Sequence, residues 1–134
     1  MKEMTLMEYV NSDDAATNWM VRWLVGKPNE KVLVANDLEL AKNILQRKVL
    51  ILLTEEMSTS INRLIRFMGW DVNVEERKCV DENTSKVGGQ NKNLHQEIEV
   101  GSEEYNLVKE KNQFDVELYN YALGLFSEQW KLIP

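Results

Sequence analysis

The chain has 134 residues, of which 43% are hydrophobic and 28% charged, a composition that predicts a folded globular protein and excludes a disordered tail. Its formal net charge of −6 repels a phosphate backbone and argues against nucleic-acid binding. One cysteine and one histidine exclude an internal disulfide and leave no cluster with the spacing of metal ligands. No stretch has the pattern of a secretory signal or is apolar for long enough to span a bilayer, so we expect no membrane segment in these residues.

The N-terminal part of the chain carries three helix patterns. Thr5 and Glu8 predict a capping box that opens a short helix. In a second helix Trp19 and Trp23 lie one turn apart on an apolar stripe, which we expect to be a packing face. A third helix begins near Asn36 and continues to residues 46–47.

The apolar run at about 48–54 is the strongest strand signal in the chain. It is continuous and not alternating, which is typical of a strand buried on both faces of a parallel sheet. A helical pattern ending at Gly69 follows it, and residues 71–80 are a weaker candidate strand. Helix, buried strand and helix predict an α/β fold, mostly helical with one central strand. Because one parallel strand cannot form a sheet, we expect a single but incomplete domain over 1–134 that is completed by a missing N-terminal half or by an identical subunit.

The C-terminal part begins with a polar stretch at 81–101, which predicts a long surface loop. Ser102 is placed to cap the next helix, and a final long helix is predicted from about Phe114 to Lys131. Gly88 and Gly89 follow no strand and open no helix, so we interpret them as a turn and not as a phosphate-binding loop.

Several residues are candidates for catalytic or ligand-binding groups. His95 lies in the polar stretch without a nucleophile at a suitable spacing, which favours an ordinary surface histidine. Cys79 is interpreted as a free, half-buried thiol. Glu55 and Glu56 follow the predicted strand, where open α/β sheets place ligand groups. A helix cap or an ion pair is the more common explanation for carboxylates at such a position.

Two strings carry a resemblance to a known family. The first runs from Leu50 to Trp70, with an acidic residue after an apolar run and a Ser-containing helix start, and the second runs from Asn112 to Phe126. They resemble the Golgi carbohydrate sulfotransferases, most closely the galactose 3-O-sulfotransferase type. The resemblance implies the C-terminal part of a P-loop-like parallel-sheet fold. It also implies transfer of a sulfuryl group from 3′-phosphoadenosine 5′-phosphosulfate to a hydroxyl of a carbohydrate or glycolipid acceptor in the Golgi lumen.

This chain departs from the family in the parts that perform the chemistry. The phosphosulfate-binding loop, the groups that grip the 3′-phosphate and the catalytic base belong to the family's N-terminal part and have no counterpart here. The resemblance therefore implies no catalytic residue, and we expect the chain to be inactive alone. It implies Glu55 as a substrate-binding residue and Asn83, Thr84 and Lys86 as cofactor-binding residues.

A second hypothesis belongs to another class of function. The chain is then a non-catalytic helical protein-protein interaction module that binds a partner through the Trp19 and Trp23 stripe and the last helix. The two hypotheses differ in what they predict for the apolar run. A severed enzyme exposes an apolar patch around residues 49–53, whereas a module covers Ile51 and Leu52 with the tryptophan-bearing helices.

Overall fold

The computed structural model describes residues 4–30, 32–84 and 98–132, and these residues are helical without a single strand. The helices are α1 Leu6–Val10, α2 Trp19–Leu24, α3 Ala35–Lys48, α4 Met57–Met68, α5 Val74–Thr84, α6 Glu103–Lys111 and α7 Gln113–Gln129, followed by a 3₁₀ turn at Trp130–Leu132. The predicted α/β fold with a parallel sheet was therefore wrong.

Of the predicted central strand at 48–54, residue 48 ends α3 and residues 49–54 are a non-helical segment whose peptide groups bind side chains. The side-chain amide of Gln129 donates to the carbonyl of Val49 at 2.8 Å and accepts from the backbone N–H of Ile51 at 2.9 Å. The hydroxyl of Ser60 accepts from the backbone N–H of Leu53 at 2.8 Å and donates to its carbonyl at 2.9 Å. Ile51 and Leu53 are buried as expected. Buried peptide groups require partners, and here an amide and a hydroxyl replace the neighbouring strands.

The second candidate strand, at residues 71–80, was also wrong, because most of it lies in α5. The side chain of Asn73 accepts from the backbone N–H groups of Glu75 and Glu76, and the Glu76 carboxylate accepts in return from the N–H of Asn73. These reciprocal bonds satisfy N–H groups that a helix start otherwise leaves without partners. The capping signal of this segment outweighs its weak strand propensity.

Other helix ends agree with the sequence. Thr5 and Glu8 form the predicted capping box of α1, and the Ser102 hydroxyl accepts from Tyr105 N at the start of α6. Gly69 ends α4 in the left-handed conformation, with φ of 65°, which a residue without Cβ adopts at little cost. The final helix is confirmed within two residues at each end.

The chain divides into two compact units. Unit 1 comprises Met1–Ile44 and His95–Tyr121, and unit 2 comprises Leu45–Leu94 and Ala122–Pro134. In unit 1 α1 packs against α6, and in unit 2 α4 packs against α5. The buried apolar side chains of unit 1 include Val10, Val21, Leu38, Ala41 and Leu118, and those of unit 2 include Leu45, Ile51, Leu53, Ile65, Leu125 and Phe126.

Within unit 1, Asn18 connects the ends of three helices. Its side-chain oxygen accepts from the backbone N–H groups of Phe114 at 2.9 Å and Asp115 at 3.2 Å, at the start of α7. Its amide nitrogen donates to the carbonyl of Lys111 at 3.0 Å, at the end of α6. Asn18 itself precedes α2 and has a φ of 48°, a left-handed conformation that Asn tolerates better than most residues.

Asp115, at the start of α7, in turn binds backbone N–H groups of α2. One carboxylate oxygen accepts from the N–H of Met20 and the other from that of Val21, both at 2.9 Å. Asn18 thus caps α7 while Asp115 caps α2, an arrangement that we call the cross-cap. Because α2 has six residues, too few to be stable alone, the cross-cap contributes to holding it in place within unit 1.

Candidate functional site

An exposed aromatic surface on α2 is the most prominent feature of unit 1. Trp19, Met20 and Trp23 are 51%, 48% and 56% exposed, and we call them the tryptophan surface. The two indole rings contact each other with centroids 5.6 Å apart and planes at 51°. Tilted contacts of this kind are favourable for aromatic pairs, so the rings form one continuous apolar face.

The orientation of α2 explains why both rings face solvent. A helix advances about 100° per residue, so Val21 lies nearly opposite the midpoint between Trp19 and Trp23. Val21 is fully buried, and its direction is fixed because its N–H is bound by Asp115. The predicted packing face of Trp19 and Trp23 therefore points outward in this structure, with about half of each residue exposed.

A depression of about 720 Å³ lies beside Trp19 in unit 1. Its lining includes the exposed Asp13 and Asp14, which form no ion pair with any residue that the structure describes. Arg22 and Lys111 also line it. Arg22 is held by backbone carbonyls, since its Nε donates to Thr17 O at 2.7 Å. Unpaired carboxylates next to an apolar ring offer a partner both attraction for cations and contact area.

Unit 2 contains a buried guanidinium. The side chain of Arg63 lies 3.5 Å from the Phe126 ring centroid and 4.9 Å from that of Trp130, and it donates to the carbonyl of Phe126. Burial lowers the pKa of Arg63, because desolvation disfavours the charged form. Among the described residues it has no carboxylate partner, so the two rings stabilise its charge.

Three of the residues that the resemblance implied lie in the described part of the chain. Glu55 is exposed and accepts from the Thr54 hydroxyl at 3.2 Å. Asn83 and Thr84 lie in the last turn of α5, where the Asn83 amide donates to the carbonyl of Cys79 at 2.8 Å. No hydrogen bond described for Glu55 reaches either of them. Lys86 lies outside the described residues.

The remaining sequence interpretations concern isolated residues. Cys79 is exposed, so the prediction of a half-buried thiol was wrong. His95, Gly88 and Gly89 lie outside the described residues. Glu56 precedes α4 without a side-chain cap hydrogen bond, so the capping explanation fails for this carboxylate.

Comparison of the chain with protein-family models, with curated proteins and with solved structures finds no match. The sulfotransferase resemblance accordingly stays a prediction.

The described residues offer neither a metal site nor a membrane-spanning helix. No group of three metal-binding side chains comes together in ranges 4–30, 32–84 and 98–132. Within the same ranges no helix combines the length and the apolar character that crossing a bilayer requires.

Sequence reasoning identified the two tryptophans but missed what fixes them. The cross-cap residues Asn18 and Asp115 are far apart in sequence, and no local pattern connects them. The doublet of Asp13 and Asp14 closely precedes Trp19 in the sequence. The sequence could have indicated this acidic environment, because two adjacent acids precede the two tryptophans closely.

Proposed function

We propose that this chain is a non-catalytic helical interaction module that binds a basic partner with apolar contact area through the tryptophan surface. The observation that carries the proposal is the exposure of Trp19, Met20 and Trp23 as one contiguous face. Tryptophan is among the residues that contribute most to binding at protein interfaces, and exposed apolar patches of this kind mark contact sites.

Rigid presentation of the surface supports the proposal. The cross-cap binds the N–H groups of Met20 and Val21 and fixes the start of α2. A surface that is already ordered loses little conformational entropy when it binds. The rings also restrain each other, with centroids 5.6 Å apart, a spacing that leaves no room for a group to insert between them.

Charge supports a basic partner. Unit 1 contains fourteen acidic and seven basic residues by sequence, and Asp13 and Asp14 line the same depression as Trp19. Opposite charge around an apolar contact accelerates association and selects partners. A helical partner is favoured over an added strand, because the described residues offer no sheet edge.

The apolar run meets the expectation for the module only in part, since Ile51 is covered but Leu52 is not. Ile51 and Leu53 are buried at 6% and 8% exposure, whereas Leu52 is 38% exposed. The segment therefore does not present the broad apolar patch expected of a sheet without its neighbours. The parallel sheet that the sulfotransferase hypothesis requires does not occur in the described residues.

Titration with a designed peptide tests the proposal. The probe is a fluorescein-labelled amphipathic peptide of about 18 residues, long enough to form a helix when bound, with Leu on one face and Lys on the other. Fluorescence anisotropy should show saturable binding that weakens at least about 30-fold in the double variant Trp19→Ala and Trp23→Ala, as expected for the loss of about 2 kcal/mol at hot-spot residues.

Two controls make this result specific. Trp70→Ala removes an equally exposed tryptophan from unit 2 and should leave the affinity unchanged. A matched peptide with Glu in place of Lys should bind far more weakly. Equal weakening by Trp70→Ala, or binding that is unaffected by the double variant, would contradict the proposal.

A further inference from the structure

Unit 2 carries a hollow whose charge is opposite to that of unit 1. The hollow has a volume of about 360 Å³ and is lined by Arg47, Lys48, Val49, Phe67 and Gln129, among others, with no acidic residue in the lining. Phe67 is 58% exposed. Arg47 and Lys48 are exposed and form no ion pair with the residues that the structure describes. We call this feature the basic hollow.

The basic hollow is preformed. Gln129 holds the carbonyl of Val49 and the N–H of Ile51, which fixes the chain as it leaves the last turn of α3. Arg47 and Lys48 occupy that last turn, where cations are stabilised by the helix dipole. Apolar and cationic groups are thus displayed together on backbone that does not need to be ordered during binding.

The two surfaces complement each other in charge and in chemical character. Unit 1 has fourteen acidic against seven basic residues, whereas unit 2 has eight against nine. The depression that Trp19 lines contains the acids Asp13, Asp14 and Glu30 against the cations Arg22 and Lys111. The basic hollow has two unpaired cations beside an exposed aromatic ring and no acid. Each surface therefore offers what the other lacks, namely a counter-charge next to apolar contact area.

We infer that the partner of the tryptophan surface is a second copy of this chain, which presents its basic hollow. The inference rests on the proposed function, since it names the partner for the same surface. The contact joins two different patches, so it is heterologous: each added copy offers a further free surface until a ring closes. Association should therefore rise steeply with protein concentration and fall with added salt.

A charge-swap experiment in sedimentation velocity tests the inference. Wild-type protein should form species larger than the monomer that dissociate when NaCl is raised from about 0.05 M to about 0.5 M, where screening shortens the reach of exposed charges. The double variants Asp13→Lys with Asp14→Lys, and Arg47→Glu with Lys48→Glu, should each associate at least about tenfold more weakly. An equimolar mixture of the two variants should recover the complex, because each then supplies the charges that the other requires.

The outcomes separate this inference from the proposed function. A variant with Asp71→Lys and Asp81→Lys makes the same charge change at exposed positions of unit 2 and should associate no more weakly than wild type. A wild-type protein that is monomeric at all concentrations but still binds the Lys-rich peptide through its tryptophans would overturn the second-copy inference alone. Association that survives both double variants would also overturn it. A wild-type protein that neither associates nor binds the Lys-rich peptide would overturn the proposed function too.

Discussion

Asp37 shows how the network around one buried carboxylate stabilises the fold. Asp37 is 4% exposed. Its carboxylate accepts from the N–H of Val34 at 3.0 Å and pairs with the Lys27 ammonium at 3.0 Å. The hydrogen bond from Val34 and then that from Lys27 lower the pKa of Asp37, because both favour the charged form. The same pairing raises the pKa of Lys27.

The depressed pKa of Asp37 predicts a pH-dependent contribution to stability. The contribution is fully present above the ordinary aspartate pKa of about 3.9, and it is lost as pH falls through the lower folded-state pKa. Asp37→Asn should therefore lower the thermal midpoint at pH 7, and its difference from wild type should shrink as the pH approaches about 2.5. Thermal denaturation followed by circular dichroism measures both midpoints.

Asp71→Asn is the control for this prediction, since Asp71 is exposed. Asp71→Asn should change the thermal midpoint little at either pH. A difference between wild type and Asp37→Asn that stays constant from pH 7 to pH 2.5 would show that the charge of Asp37 is not what stabilises the fold.

Asn18 carries two separable functions in the cross-cap, and substitutions can distinguish them. Asn18→Asp keeps an acceptor for Phe114 and Asp115 and should cost least, although it loses the bond to Lys111. Asn18→Gly keeps the left-handed backbone but loses every side-chain bond, and it should lower the free energy of unfolding by about 1 kcal/mol. Asn18→Ala adds backbone strain and should lower the free energy of unfolding by about 2 kcal/mol in total. Urea denaturation should reproduce this order.

A matched control for the Asn18 series is Asn29→Ala, at an exposed position, which should change the free energy of unfolding by less than about 0.5 kcal/mol. Equal effects of Asn18→Gly and Asn18→Ala would show that the left-handed conformation contributes nothing.

At the scale of elements, the segment before α4 is stabilised by side chains in place of a sheet. Ser60 is 1% exposed and binds both the N–H and the carbonyl of Leu53. Ser60→Ala should therefore destabilise the protein by about 1–3 kcal/mol, because it leaves buried peptide groups without their partner. Ser58→Ala, at an exposed position of the same helix, should cost less than about 0.5 kcal/mol. Urea denaturation of both variants checks this difference, and equal costs would contradict it.

The elements also show which parts of the fold the sequence could predict. Capping signals depend on residues three apart, so Thr5 with Glu8 and the Ser102 cap were predicted correctly. The apolar run was correctly expected to be buried, but its burial does not specify the partner of its peptide groups. That partner, Gln129, lies almost eighty residues away, and a single side-chain amide carries no periodic signal. The strand prediction failed for this reason.

The candidate site was predictable to a similar degree. The spacing of Trp19 and Trp23 correctly placed both rings on one helical face. It did not reveal whether that face points inward, because the direction of α2 is set by Asp115, whose contact with the N–H of Val21 is long-range. Likewise, the residues taken from the sulfotransferase resemblance depended on a parallel sheet that the described residues do not form.

At the scale of the whole molecule, charge is distributed unevenly along the chain. The net charge of −6 arises in unit 1, since acidic and basic residues are nearly balanced in unit 2. Such asymmetry influences association and partner choice more than it influences the fold. It gives the tryptophan surface an acidic environment. The basic hollow, in contrast, can attract an acidic surface.

The central claim is that the tryptophan surface is where a basic partner binds, and NMR of the four indole N–H groups tests it most directly. The four signals can be assigned with single Trp→Phe variants and followed during titration with the Lys-rich peptide. We expect the signals of Trp19 and Trp23 to shift progressively, while those of Trp70 and Trp130 stay in place. Shifts confined to Trp70 or Trp130, or equal shifts of all four, would contradict the claim.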